Sequence, residues 1–314
     1  MLIEGAETSQ YRAGSALQRK WYTVETLTPM AMHGANSRGD PQFRIPSLRG
    51  LLRYWWRAVQ YETDPAKLLP KEEELFGGTQ TEQSGKSLLR LVLHPPNFLL
   101  EEYPLLNHKP RTKDKSFTQV LKASQFLSIE ASTYQFTRSD KWSHFQDALE
   151  LALLLTGMGQ RARRGFGAVQ WQEHQFDSVE SYGQRLCEVL SRLNVPIMSG
   201  ITNGCLVKAV FNSGQLPPHP TLMAVWLGKP YEDNAAGVDC LLNDYGHASH
   251  LRSRASLGGI YPRFASPLWG SVRRIAGQLY PVISELQSAY SRKTPAVDYE
   301  SDRNAFLQTL GVNI

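Results

Sequence analysis

Between Gly157 and Gly167 the chain reads Gly157-Met158-Gly159-Gln160-Arg161-Ala162-Arg163-Arg164-Gly165-Phe166-Gly167. Gly157, Gly159, Gly165 and Gly167 permit positive φ and let backbone N–H groups approach an anion. Arg161, Arg163 and Arg164 add planar guanidinium groups that bind phosphate oxygens through paired hydrogen bonds. The chemistry on offer is a grip on a sugar–phosphate chain. The plain alternative is a tight turn with solvated arginines. The loop's place between a predicted helix and a predicted strand favours the grip.

A second group lies in Pro46-Ser47-Leu48-Arg49-Gly50-Leu51-Leu52-Arg53-Tyr54-Trp55-Trp56-Arg57. Leu52, Trp55, Trp56 and Val59 fall at i, i+3, i+4 and i+7, one apolar face of a helix. Arg49, Arg53 and Arg57 follow at steps of four beside that face, and Arg44 stands just before it. Ser47 is the expected N-cap. A helix start there would offer free N–H groups to a phosphate, reinforced by Arg44, Arg49 and Arg53. Two adjacent tryptophans are costly to leave in water, so they read as core rather than as stacking platforms.

Other reactive residue types carry less. His33 sits in a loop with no paired base, so acid–base work there lacks a partner. Asp40 lies in the same loop, where a lone carboxylate could position a metal or a water near a scissile phosphate, or could merely order its own turn. Gly85-Lys86-Ser87 resembles the end of a nucleotide-binding loop, but position 80 is Gln80 where a glycine is needed, and a strand follows instead of a helix. His247 and His250, with Asp239 and Asp244 upstream, do not define a metal site. No cofactor and no metal is expected.

These residues must be held by elements of mixed type. Trp21–Leu27 alternates as a strand, and Ser87–His94, Ala123–Ile129 and Ala168–Gln172 read as three more. The helix beginning at Pro46 and one over Trp142–Thr156 lie between them. Residues 101–125, with Lys109, Arg111, Lys113 and Lys115, read as an exposed irregular excursion. The order matches a β-α-β-β-α-β unit of ferredoxin-like type. A helix near Tyr182–Leu193, strands over Cys205–Phe211 and Leu222–Leu227, an extended stretch over Trp269–Val282 and a helix over Tyr299–Leu310 form a second, less clear α/β half. The expected layout is a polar tail over 1–20, a first ferredoxin-like domain over 21–175 and a second over 176–314.

The chain of 314 residues carries a net charge of +5, with 41% hydrophobic and 20% charged residues, which suits folded domains rather than disorder. Its cations are segregated. Residues 26–61 hold five arginines and one acid, residues 153–172 three arginines and no acid, and residues 245–284 five arginines and no acid. Such islands imply one positive surface. Three scattered cysteines, Cys187, Cys205 and Cys240, exclude a disulfide framework and suit a reducing cytoplasm. No apolar run is long enough to span a membrane.

In combination and order the motifs resemble the RAMP superfamily of CRISPR proteins. Trp21–Leu27 followed by Pro29-Met30 and Gly34-Ala35 is similar to the superfamily's opening strand and loop. Gly157–Gly167 is similar to its glycine-rich loop. Pro46–Arg57, then Leu75-Phe76-Gly77-Gly78-Thr79 and Gly85-Lys86-Ser87, resemble the family of first Cmr subunits in type III-B effectors, as does Arg263-Phe264-Ala265-Ser266-Pro267-Leu268. The resemblance implies two ferredoxin-like domains, CRISPR RNA and target RNA as partners beside other effector subunits, and a place near the 3′ end of the CRISPR RNA. It implies a non-catalytic subunit that helps capture target RNA. Slicing belongs to a sister subunit that uses an aspartate in the loop where Asp40 falls, so an endoribonuclease acting through Asp40 or His33 stays open. A scaffold that barely touches RNA is the other alternative.

Overall fold

The computed structural model describes residues 17–36, 39–82, 85–94, 97–106, 117–135, 137–210, 216–251, 255–260, 263–289 and 299–314. Most of the expected polar tail, the cluster Lys109, Arg111, Lys113 and Lys115, and Arg38, Arg252 and Arg254 lie outside the described residues.

The first half opens with strand β1 (Leu17–Thr26), helices α1 (Ile45–Ala58) and α2 (Pro65–Phe76), and strand β2 (Arg90–His94). A hairpin β3 (Leu100–Pro104) and β4 (Phe117–Leu121) leads to β5 (Phe126–Tyr134), α3 (Ser139–Leu155) and β6 (Val169–Trp171). Strands β2, β5, β1 and β6 lie in that order in one antiparallel sheet. Strand and helix therefore alternate as β-α-β-β-α-β, with α1 and α2 sharing the first crossing and the hairpin inserted before β5. The sheet begins at Leu17, so residues 17–20 belong to a strand and not to a tail. The stretch read as an irregular excursion contains the paired hairpin. Its polar, charged composition hid two strands that expose one side to water.

The second half contains α4 (Val179–Arg192), β7 (Ile197–Thr202), β8 (Cys205–Ala209), β9 (Thr221–Leu227), β10 (Tyr231–Glu232) and α5 (Ala235–Ala248). It continues through β11 (Gly259–Ile260), β12 (Arg263–Phe264), β13 (Leu268–Ile275), β14 (Gln278–Gln287) and α6 (Tyr299–Thr309). Its main sheet is antiparallel in the order β13, β14, β9, β8, β7, with β10 also paired to β14. This half does not run β-α-β-β-α-β. Its order β13-β14-β9-β8 repeats β2-β5-β1-β6, with α5 and α6 in the helix places. The strand equivalent to β6, however, is β8, which precedes β9 instead of following α6. The second half is the same sheet with its last strand moved to the front.

Each apolar core draws on both halves. Trp55 and Leu52 of α1 pack in one cluster with Val225, Trp269, Val282 and Leu286. Leu27, Phe166 and Ala168 join a second cluster with Leu241, Leu242 and Tyr245 of α5 and Phe306 of α6. Burial of aromatic rings across the seam is the largest apolar contribution available to it. Among the described residues no helix is long and apolar enough to cross a membrane. Cys187, Cys205 and Cys240 are free thiols.

Candidate nucleic-acid interface

Helix α1 starts two residues before the expected cap. Arg44 takes the cap place with extended backbone and no side-chain cap, and Ser47 is the third helical residue. The proline near the helix start, with its fixed φ, fits an early turn and removes one N–H. The amides of Ser47 and Leu48 both return to the Arg44 carbonyl, at 3.1 and 3.2 Å. The helix start thus offers few free donors, and Ser47 is not a cap. Trp55 and Trp56 are buried, as their helical face requires. Trp55 meets Trp269 at 5.5 Å between ring centroids, and Trp56 donates to Nε2 of His144 at 2.9 Å.

The glycine-rich loop lies between two backbones. On one side Gly167 N–H donates to the Pro29 carbonyl at 2.9 Å, Gln160 N–H to Ala31 at 2.8 Å, and Thr28 Oγ1 to Gly165 at 2.7 Å. On the other side Gly165 N–H reaches the Gly270 carbonyl and Gly270 N–H reaches Arg163, a parallel bridge to β13. The glycines permit this closeness. At Gly159, with φ of 86°, a Cβ would stand 2.5 Å from the Ala31 carbonyl oxygen. At Gly167 it would stand 1.9 Å from that of Met158. The glycines of this loop thus serve contact with protein backbone.

The arginines divide into two groups. Arg163 donates to the Ser266 carbonyl at 2.7 Å and to the Tyr54 hydroxyl at 3.1 Å, and its guanidinium lies 4.3 Å from the Trp269 ring centroid. Arg164 donates to the carbonyls of Arg163 and Leu268 and sits over Phe306, where burial pushes its pKa down to about 10. Arg53 donates to the Gly77 carbonyl and, with Arg57, faces Glu72 at 3.6 and 3.4 Å. These side chains are engaged by acceptors within the protein. In the third arginine island, Arg273 and Arg274 are held by acceptors within the protein. Arg273 is 1% exposed and donates to the carbonyls of Leu154 and Thr156 at the end of α3. Arg274 is ion-paired to Glu25 and Asp233.

Arg161, Arg49 and Arg44 form the other group. Arg161 is half-buried at φ 56°, its pKa lowered by loss of water. Its Nε is shielded from solvent and finds no acceptor among the described residues. The Nε of Arg49 is in the same state, and its Nη2 makes only a 3.5 Å contact with the Leu89 carbonyl. Arg44 reaches the His33 carbonyl at 3.4 Å. Both ring nitrogens of His33 are shielded and unpartnered among the described residues. Arg44 and the Gly159–Arg161 turn are tied to the same segment, Ala31–His33. Buried polar groups are normally hydrogen-bonded, so the Nε atoms of Arg161 and Arg49 and the ring nitrogens of His33 stand out as unmet among the described residues. Nothing in the sequence marked which arginines were spent, because their acceptors lie up to 249 residues away.

Asp40 is exposed on the rim of this segment. No group of three or more His, Cys, Asp or Glu side chains is placed to hold a metal among the described residues. Lys86 is followed by β2, and Gly85 bridges Gly78 across a turn that Glu73 fixes by accepting from the amides of Thr79 and Gln80, each at 3.0 Å.

Residues 23–170 match the model of the RAMP superfamily. Among individual proteins, the chain is similar to the CRISPR system Cmr subunit Cmr1-1 of Pyrococcus furiosus, at 24% identity over 86% of this chain and 88% of that protein. Its fold is that of the crystal structure of Cmr1 from the same organism, with a TM-score of 0.58, 19% identity and coverage of 86% and 88%. A chain of a type III-B Cmr-beta complex bound to cognate target RNA also superposes, with a TM-score of 0.57, 12% identity and coverage of 94% and 99%.

Proposed function

We propose that the protein is a Cmr1-type subunit of a type III-B CRISPR effector that holds RNA without cutting it. In this reading it works in the cytoplasm among other effector subunits, grips CRISPR RNA near its 3′ end and helps capture target RNA. Each half follows a ferredoxin-like plan, the second permuted. The observation that carries the reading is Arg161. A half-buried guanidinium whose Nε finds no acceptor among the described residues can take a phosphate, and Arg44 is held to the same segment. The RNA-bound Cmr-beta relative supports RNA as the source of that phosphate. Guide pairing would supply sequence specificity, leaving the protein to read the backbone.

The test is RNA binding by the full chain across a salt series, with RNA integrity followed on gels. Wild type is expected to bind with steep salt dependence. Arg44→Ala and Arg161→Ala should each weaken binding and make the log–log salt slope shallower by about one. RNA should stay intact. Salt-independent binding would refute the phosphate grip, and cutting lost only in Asp40→Ala would make the protein a slicer.

A further inference from the structure

The outer face of the first sheet carries groups that the grip at Arg44 and Arg161 does not use. Strand register sets them in rows. Leu17 stands beside Tyr134. Arg19, Ser132 and Arg90 form the next row, then Trp21, Glu130 and Val92, then Thr23, Ser128 and His94. Gln170, Glu25 and Phe126 close the face. Over eight residues of β5, at about 3.3 Å each, the rows span roughly 26 Å.

Three large rings on this face remain open to solvent, with Trp21 47% exposed, Phe126 47% and Tyr134 43%. Trp21 is held in place by the His94 ring, 4.8 Å away. The acids of these rows are engaged. Glu130 faces Arg19 and His94, each at 3.5 Å, and Glu25 is bound by Arg274 at 2.6 and 3.0 Å. Arg90 is exposed and pairs with no acid among the described residues. Between Arg19 and Arg90 the Ser132 hydroxyl is buried without a partner among the described residues.

Rings set apart by rows of arginine, serine and threonine do not form the continuous apolar core that a protein interface presents. The same alternation suits single-stranded nucleic acid, in which flat bases alternate with phosphates. Neutralised acids and an unpaired arginine give the face the sign a polyanion needs. We propose that this face is a second single-stranded RNA site, where bases stack on Trp21 and Phe126 while Arg90 holds an intervening phosphate. The site stands on the opposite side of the sheet from α1 and does not depend on the grip there.

The probe is a fluorescent oligouridine containing 4-thiouridine, bound to the full chain at fixed salt and then photocrosslinked. Trp21→Ala should weaken binding at least about fivefold with the salt slope unchanged, because stacking releases no counter-ion. Trp21→Phe should retain most of the affinity, and Phe126→Ala should weaken it on its own. Crosslinked peptides should include β1 and β5. Wild-type affinity in both alanine variants, with no crosslink in either strand, overturns the proposal. So does unchanged RNA binding together with loss of association with other effector subunits, which would make the face a protein interface. If Trp21→Ala does not fold, Phe126→Ala and the crosslink map decide. Loss confined to Arg44→Ala and Arg161→Ala, without crosslinks to β1 or β5, removes this site and leaves the first grip standing. Crosslinks on β1 and β5 with those variants unaffected do the reverse.

Discussion

Replacing Arg163 with alanine separates glue from grip. The side chain makes two charge-assisted hydrogen bonds, to the Ser266 carbonyl and the Tyr54 hydroxyl. It also stacks beneath Trp269 and near Tyr54. Bonds to charged groups contribute roughly 1.5–3 kcal/mol each, and a cation–ring contact about 1 kcal/mol. Because Arg163 is partly open to solvent and the terms are coupled, the expected loss is about 3–5 kcal/mol. Equilibrium urea unfolding followed by tryptophan emission should show the midpoint falling by on the order of 1 M with an unchanged slope. The folded fraction should bind RNA with wild-type affinity and salt slope. Arg163→Lys, which keeps the charge but loses the fork, should lie between the two in stability. An unchanged midpoint accompanied by weaker binding and a shallower salt slope would place Arg163 on RNA and refute the reasoning.

Arg273→Met should cost about 2 kcal/mol or more by removing charge-assisted hydrogen bonds to the carbonyls of Leu154 and Thr156, which keep the hydroxyls of Tyr182 and Ser271 as donors, and thermal unfolding would read it. Gly167→Ala forces a Cβ against the Met158 carbonyl at φ 62°. It should lose about 2 kcal/mol or more and displace Arg161, so stability and RNA affinity fall together in one titration series. Acid should destabilise the fold through His144. Its Nε2 accepts from Trp56, and burial lowers its pKa, so on acidification the unfolded chain takes up the proton first. This contribution is full above the ordinary imidazole value of 6.5 and is lost as pH falls below it. His174 and His219, also lowered by burial, act in the same direction. Melting temperature should drop between pH 7.5 and 5.5, and His144→Gln should flatten part of that drop.

Periodicity made the first half legible. The apolar faces of α1 and α3 and the alternation of β1 are written at their own positions, and the structure follows them to within a few residues. Helix α5 escaped because Ala-Ala-Gly-Val-Asp-Cys-Leu-Leu-Asn-Asp-Tyr-Gly carries weak helix formers, and its burial against β14 and α6 supplies what propensity does not. The permuted order of the second sheet could not be read because strand pairing is set by distant contacts. The arginine-rich motifs were legible as motifs but not as uses. Arg161 and Arg163 are two residues apart, yet Arg163 lies under a tryptophan from the second half while the Nε of Arg161 finds no acceptor among the described residues. The aromatic face of the first sheet showed only as alternation in β1, since its rows form across strands far apart in sequence.

The bridge between Arg164 and Gly270 bears on how such a protein can be inherited. The glycine-rich loop belongs to the first half by sequence and to both halves by hydrogen bonding, and Gly270 is packed so closely that a Cβ would meet Tyr245 at 2.2 Å. A recombinant that took residues 176–314 from a distant relative would bring a foreign β13, α5 and Trp269 to a loop shaped for others. The two halves resemble one another as sheets, but their shared cores and the bridge make them one packed unit. A chimera joined at residue 175 should regain stability only when Tyr54 and the Gly157–Gly167 loop come from the same parent as Trp269.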